Sequence, residues 1–242
     1  MDTIFIAVFS VSITGFFCAV MLCTASKIMH VKVDERLAQL LEYLPGVNCA
    51  VCGFPGCPSY AEALLSGRGV KSNLCTPGGA ETAAKISAIF GVEAESFTSK
   101  TAVVHCLAGK ASCAFGCLGC GACKTACPAG AVRLKDSLAR IDTSLCTGCG
   151  LCVKACPNGL ILIHDAAIAA AVLCRNTEKG AAARKQCPKS CIGCGKCARE
   201  CPGEAIVVEN NLAKIDYEKC SGCGRCIEVC VSKCIAPLPI LA

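Results

Sequence analysis

Sixteen of the chain's 27 cysteines fall into four runs of the form C-x2-C-x2-C-x3-C. They are Cys117, Cys120, Cys123 and Cys127; Cys146, Cys149, Cys152 and Cys156; Cys191, Cys194, Cys197 and Cys201; and Cys220, Cys223, Cys226 and Cys230. Three thiolates within seven residues cap three irons of one cubane, and the fourth iron needs a sulfur from outside that loop. The chemistry this spacing predicts is one-electron transfer through [4Fe–4S] clusters. A disulfide scaffold belongs mainly to secreted chains below about 100 residues. Structural zinc uses two separated C-x2-C pairs. Neither matches three evenly spaced cysteines and a fourth that proline follows, as Pro128, Pro157 and Pro202 do here; Val231 replaces it in the last run.

In two-cluster ferredoxins the fourth cysteine of each run crosses to the neighbouring cluster. That pattern groups Cys117, Cys120, Cys123 with Cys156, and Cys146, Cys149, Cys152 with Cys127. The second pair is Cys191, Cys194, Cys197 with Cys230, and Cys220, Cys223, Cys226 with Cys201. A fifth set, Cys49, Cys52, Cys57 and Cys75, has the spacing C-x2-C-x4-C-x17-C. It is expected to close one cubane locally; its spacing alone leaves a zinc knuckle open. The cofactor expectation is therefore five [4Fe–4S] clusters, with iron held through these cysteines.

The elements that must position these thiols follow from an internal repeat. Cys117 to Cys191, Cys127 to Cys201, Cys146 to Cys220 and Cys156 to Cys230 are each 74 positions apart. The stretches between runs, "AGAVRLKDSLARIDTSLC" and "GEAIVVENNLAKIDYEKC", each read as strand, turn and strand. Around the fifth set, "SYAEALL" predicts one or two helical turns, and "TPGGAETAAKI" opens a helix whose apolar positions face a core. The fold class is α+β: an N-terminal transmembrane helix over 1–29, a small helical single-cluster domain over 30–98, and two tandem bacterial-ferredoxin-like domains over 99–166 and 167–242.

Thr3 to Ser26 contains no charged residue. A helix of that length rises about 36 Å, enough to cross a hydrocarbon core. Lys27, His30 and Lys32 follow it, and Asp2 precedes it. The positive-inside rule places the N-terminus outside and the cysteine runs in the cytoplasm, where thiols stay reduced. A cleaved signal peptide would want basic residues before the apolar run and small ones at the cut. Localisation is thus expected at the cytoplasmic (inner) membrane, through a single anchor.

The stretch Leu44 to Gly79, "LPGVNCAVCGFPGCPSYAEALLSGRGVKSNLCTPGG", sits after an apolar segment and before ferredoxin runs. Taken with those neighbours it resembles the B component of the Rnf ion-translocating electron-transport complexes, and the likeness spans nearly the whole chain. Its four cysteines stand where that family places cluster ligands, and the second ferredoxin copy resembles the longer, polyferredoxin-like members. The resemblance implies entry of electrons from soluble reduced ferredoxin and delivery toward flavin-bearing membrane subunits. The family's net reaction links ferredoxin and NAD to Na⁺ or H⁺ movement. An alternative is an iron–sulfur partner of a corrinoid methyltransferase or hydrogenase complex, because a similar single-cluster motif occurs in corrinoid methyl transfer.

Cys18 and Cys23 lie in the apolar segment, about 140° apart on a helical wheel, and read as apolar packing residues or, more sharply, as membrane-embedded ligands. Cys106, Cys113, Cys174, Cys187 and Cys234 have no assigned run. They read as buried strand-end thiols or as an additional ligand set. The formal charge is +6, which about −2 per oxidised four-thiolate cubane turns slightly negative. The segment Arg175 to Lys189, with Arg175, Lys179, Arg184, Lys185 and Lys189 against Glu178, is a candidate docking loop for an acidic ferredoxin or simply a solvated loop. Without tryptophan or an aromatic-interleaved basic stripe, nucleic acid is not a partner. His30, His105 and His164 share no metal spacing, and no G-x-G-x-x-G or phosphate loop is present, so no flavin, NAD or haem site and no catalytic residue is expected on this chain.

Overall fold

The apolar N-terminal segment is helical. The computed structural model describes residues 2–28, 34–93, 96–109 and 113–238, and the chain divides into two units, Met1–Ala38 and Gln39–Ala242. In the first, α1 runs over Asp2–Ile28. Its side chains are described at Phe9 and from Ser12 to Ser26, all exposed, including Phe16, Phe17, Met21 and Leu22. The expected transmembrane helix needs correction at this point: among the described residues no helix is long and apolar enough to cross a membrane. The expected positive flank, His30 and Lys32, lies outside the described residues.

In the second unit, α2 (Glu35–Tyr43), α3 (Cys57–Leu65) and α4 (Gly79–Phe90) enclose a small apolar centre. Leu40, Tyr60, Ala61, Leu64, Ala83 and Ile86 are buried in it. Full burial of Leu40 and Ile86 contributes roughly 2–3 kcal/mol each. The Tyr60 hydroxyl donates to the Lys71 carbonyl at 2.8 Å, so the ring is buried without orphaning its polar end. Ser72 and Ser87 satisfy each other inside the same core at 2.7 Å. Pro58 stands in the first turn of α3, where its missing N–H costs nothing.

Each ferredoxin-like half then repeats one plan. The first comprises β1 (Lys100–Val104), α5 (Ala122–Thr125), β2 (Val132–Lys135), β3 (Leu138–Ile141), α6 (Leu151–Ala155) and β4 (Ile161–Asp165). The second comprises β5 (Ala170–Val172), α7 (Gly180–Gln186), α8 (Lys196–Arg199), β6 (Ile206–Glu209), β7 (Leu212–Ile215), α9 (Arg225–Glu228) and β8 (Ile235–Pro237). The expected strand–turn–strand units are the antiparallel hairpins β2–β3 and β6–β7. Their two-residue turns, Asp136-Ser137 and Asn210-Asn211, hold φ between 49° and 61°, the paired positive φ that a type I′ turn requires. Two further pairings join the ends of each half: β1 to β4, with Lys100 opposite Asp165, and β5 to β8, with Val172 opposite Ile235. The basic segment expected as a loop contains α7, with no counterpart among the described residues of the first half.

Candidate metal centres

The glycine between the second and third cysteine of each run shapes the site. Gly121, Gly150, Gly195 and Gly224 have φ between 69° and 79° and stand at the N-caps of α5, α6, α8 and α9. A left-handed residue there turns the chain so that the third cysteine falls in the first helical turn. Closer to the hairpins, Gly119 and Gly193 occupy equivalent positions in the two halves. A Cβ on Gly119 would lie 2.7 Å from the Ser137 carbonyl oxygen, and one on Gly193 would lie 2.9 Å from Asn211 Cα. The first run of each half is thereby pressed against the hairpin turn of that half.

The structure brings the cysteines of every expected set together. Cys117, Cys120, Cys123 and Cys156 line one cavity of about 380 Å³. Cys191, Cys194, Cys197 and Cys230 line another of about 350 Å³. The local set, Cys49, Cys52, Cys57 and Cys75, surrounds about 320 Å³. The remaining two sets show as mutual electrostatic neighbours. Burial pushes the Cys152 thiol up to about 12, and nearby Cys146, Cys149 and Cys127 add to the effect. Burial also raises Cys226, beside Cys220, Cys223 and Cys201. Cys75 is pushed up to about 11 by burial, with Cys57, Cys52 and Cys49 contributing. Such crowding of thiols opposes ionisation in the bare protein, and a bound cation cluster would relieve it.

Three observations test whether these sites fit a cubane. All 27 cysteines are free of disulfides. Among the described residues, no group of three or more His, Cys, Asp or Glu side chains is placed to hold a single metal ion. Backbone donors, moreover, already point at sulfur: Ala102 N–H lies 3.4 Å from Cys146 Sγ and Leu160 N–H lies 3.3 Å from Cys156 Sγ. Hydrogen bonds from backbone N–H to cysteine sulfur are what tune an iron–sulfur cluster. The residues fit the group.

Sequence reasoning missed several neighbours of these sites. Cys234, buried, lies 3.6 Å from Cys230 Sγ and lines the same cavity as Cys191. Its thiol hydrogen bonds lower Cys230 to about 5 and Cys191 to about 6, while its own proton is held firmly. Leu160 lines the matching cavity 74 positions earlier. His105 and His164, read separately from sequence, sit with Nε2 atoms 3.0 Å apart, and His105 Nδ1 is 2.7 Å from the Val172 carbonyl. Burial holds both imidazoles below their ordinary range. The spacing of the two residues gives no sign of this contact. Cys18 and Cys23 are exposed on α1.

Known protein families match these same segments. A family described as a 4Fe-4S dicluster domain matches residues 116–160, two more of that description match 145–206 and 183–231, and an Fe-S cluster family matches 44–77. The B component of the Na(+)-translocating ferredoxin:NAD(+) oxidoreductase complex of Acetobacterium woodii is 36% identical, over 90% of this chain and 73% of its own length. The B component of the proton-translocating ferredoxin:NAD(+) oxidoreductase complex of Clostridium ljungdahlii is also 36% identical, over 89% and 85%. The corresponding component of the ion-translocating oxidoreductase complex of Methanosarcina acetivorans is 36% identical over 85% and 87%. Identity at this level runs through the single-cluster domain and both ferredoxin-like halves, and the chain belongs to the family of B components of the ion-translocating (Rnf) oxidoreductase complexes.

Proposed function

We propose that this chain is the electron-carrying iron–sulfur subunit of a membrane-bound complex that couples electron transfer between ferredoxin and NAD to ion translocation. It accepts electrons from a soluble reduced ferredoxin and passes them toward flavin-bearing partner subunits. The observation that carries the reading is the crossed grouping of cysteines: Cys156, from the second run, lines the cavity of the first with Cys117, Cys120 and Cys123. Five [4Fe–4S] clusters, when bound, would supply reversible one-electron chemistry at five closely spaced points. The protein's own part is to hold the five cysteine sets within the 30–98, 99–166 and 167–242 domains, exclude water, and direct backbone N–H groups at sulfur. No other cofactor site is assigned to it.

Association with the membrane is assigned through membership of such a complex, and the cluster domains to the cytoplasmic side. Exposed Arg175, Lys179, Arg184, Lys185 and Lys189 around α7 form the surface for an acidic ferredoxin. The relatives favour this reading over a corrinoid methyltransferase or hydrogenase partner. Anaerobic titration of the full chain with dithionite and with reduced ferredoxin, followed by EPR and iron analysis, tests it. At least about twenty irons per chain and reduction by ferredoxin are expected. About eight irons, or stoichiometric zinc, would overturn the reading.

A further inference from the structure

Four of the cysteines that no run explains converge on one cavity. Cys106, Cys113, Cys174 and Cys187 all line a space of about 330 Å³, within the 320–380 Å³ range of the three cavities described above, each lined by an expected four-cysteine set. Two of the thiols come from each half. Cys106 and Cys174 each stand two residues beyond a strand, β1 and β5, and Cys113 and Cys187 each precede a run by four positions. The site therefore lies on the seam of the two ferredoxin-like halves. That seam is itself packed: Val103, Ala171 and Leu173 are buried together, with Leu107, Ala236 and Leu238 against them.

The polar surroundings are those of a cluster site. Cys174 Sγ accepts from Cys191 N–H at 3.3 Å and from Asn176 N–H at 3.5 Å. The Asn176 side chain, 1% exposed, directs Nδ2 at Cys113 Sγ from 3.6 Å and at Gln186 Oε1 from 3.3 Å. Its Oδ1 is held by Glu178 N–H at 2.8 Å, which fixes the amide with its nitrogen toward sulfur. Burial raises Cys174 and Cys187; Cys113 adds to both, and Cys106 to Cys187. The four are free thiols, and they do not form a group tight enough for one metal ion. A tetrad of two buried and two half-buried unpaired thiols met by N–H donors is a site that a cationic cluster core would satisfy.

We infer that Cys106, Cys113, Cys174 and Cys187 hold a sixth [4Fe–4S] cluster that joins the two ferredoxin-like halves electrically. The inference rests on the iron–sulfur reading of the other five sets and extends it. Its position supplies the link that the repeat lacks. Cys174 shares the Cys191 N–H, so the seam site abuts the set of Cys191, Cys194, Cys197 and Cys230. On the other side, Cys106 packs in the same core as Cys117 and Cys123 of the first half. The site exchanges single electrons with these neighbours, one entering as one leaves, with no proton or co-reactant.

The test is cluster counting on the full chain reconstituted anaerobically with ferrous iron and sulfide, by native mass spectrometry and by iron and sulfide analysis. Wild type is expected to carry six clusters, about 24 irons, and Cys113→Ala/Cys187→Ala five, about 20. Five clusters in wild type, or six retained in the double variant, would overturn the inference while leaving the five-cluster reading intact. About eight irons in wild type would overturn both. Should the double variant fail to fold, iodoacetamide mapping of the wild type decides. Half-buried Cys106 and Cys113 should resist labelling until the clusters are removed, and their labelling in the six-cluster chain would overturn the assignment.

Discussion

Lys154 Nζ donates a 3.0 Å hydrogen bond to the main-chain carbonyl of Cys49. One group belongs to α6, which also carries Cys152, and the other to the loop of the single-cluster domain. The two segments touch again nearby, since a Cβ on Gly150 would lie 3.4 Å from the Val51 side chain at Cγ2. The bond fixes the distance between two cysteine sets. Lys154→Met is expected to cost about 1 kcal/mol, the value of a charge-assisted bond discounted for its solvent exposure. It should also slow electron exchange between these two sites without changing iron content. Stopped-flow reduction by ferredoxin with rapid-freeze EPR checks this; an unchanged rate counts against the contact as a coupling element.

Crossed ligation makes a specific demand on Cys127 and Cys156. Cys156→Ser should perturb the EPR signal of the site built on Cys117, Cys120 and Cys123, and Cys127→Ser that of the site built on Cys146, Cys149 and Cys152. Each variant should lose up to about four irons. If each serine instead disturbs the cluster of its own run, the crossed grouping is wrong.

Gly119 and Gly193 provide a matched pair across the repeat. Both hold positive φ, 65° and 63°, and both face backbone atoms of a hairpin turn at less than 3.0 Å from a would-be Cβ. Alanine at either position must adopt a left-handed conformation and displace the turn, at a cost of roughly 2–4 kcal/mol. Gly119→Ala should reduce cluster occupancy mainly in the first half and Gly193→Ala in the second. Wild-type iron content after reconstitution and an unshifted guanidinium unfolding midpoint in both variants would count against the contact.

Reversal of Arg175, Lys179, Arg184, Lys185 and Lys189 to glutamate addresses the docking surface. Steering by complementary charge raises association rates and is screened by salt. The variant should oxidise reduced ferredoxin at least about tenfold more slowly at low ionic strength, with the difference shrinking as salt is added. Identical rates at every ionic strength would remove this surface from consideration.

Much of the arrangement was legible from residue order. The four runs, the 74-residue period and the two hairpins all rest on local signals: fixed cysteine spacing, alternating strands, and turns at Asp136-Ser137 and Asn210-Asn211. The outer pairings β1–β4 and β5–β8 were not, because five-residue and three-residue apolar strands carry no mark of a partner some 60 residues away. For the same reason Cys106, Cys113, Cys174 and Cys187 read from residue order as strand-end thiols or as an additional ligand set, with no sign of where they meet. Their meeting depends on the packing of one half against the other, at Val103, Ala171 and Leu173. The uneven spacing from Cys106 to Cys113 and from Cys174 to Cys187, 7 and 13 positions, hides their equivalence, since α7 occupies the longer interval.

Because β1 pairs with β4 and β5 with β8, each half closes on its own last strand, and no sheet among the described residues borrows a strand from the other half. A ribosome making this chain can complete both sheets of the first half once Asp165 has been joined, before any strand of the second half exists. The seam between the halves draws on residues of both, so it is the last of these packing contacts that synthesis can complete.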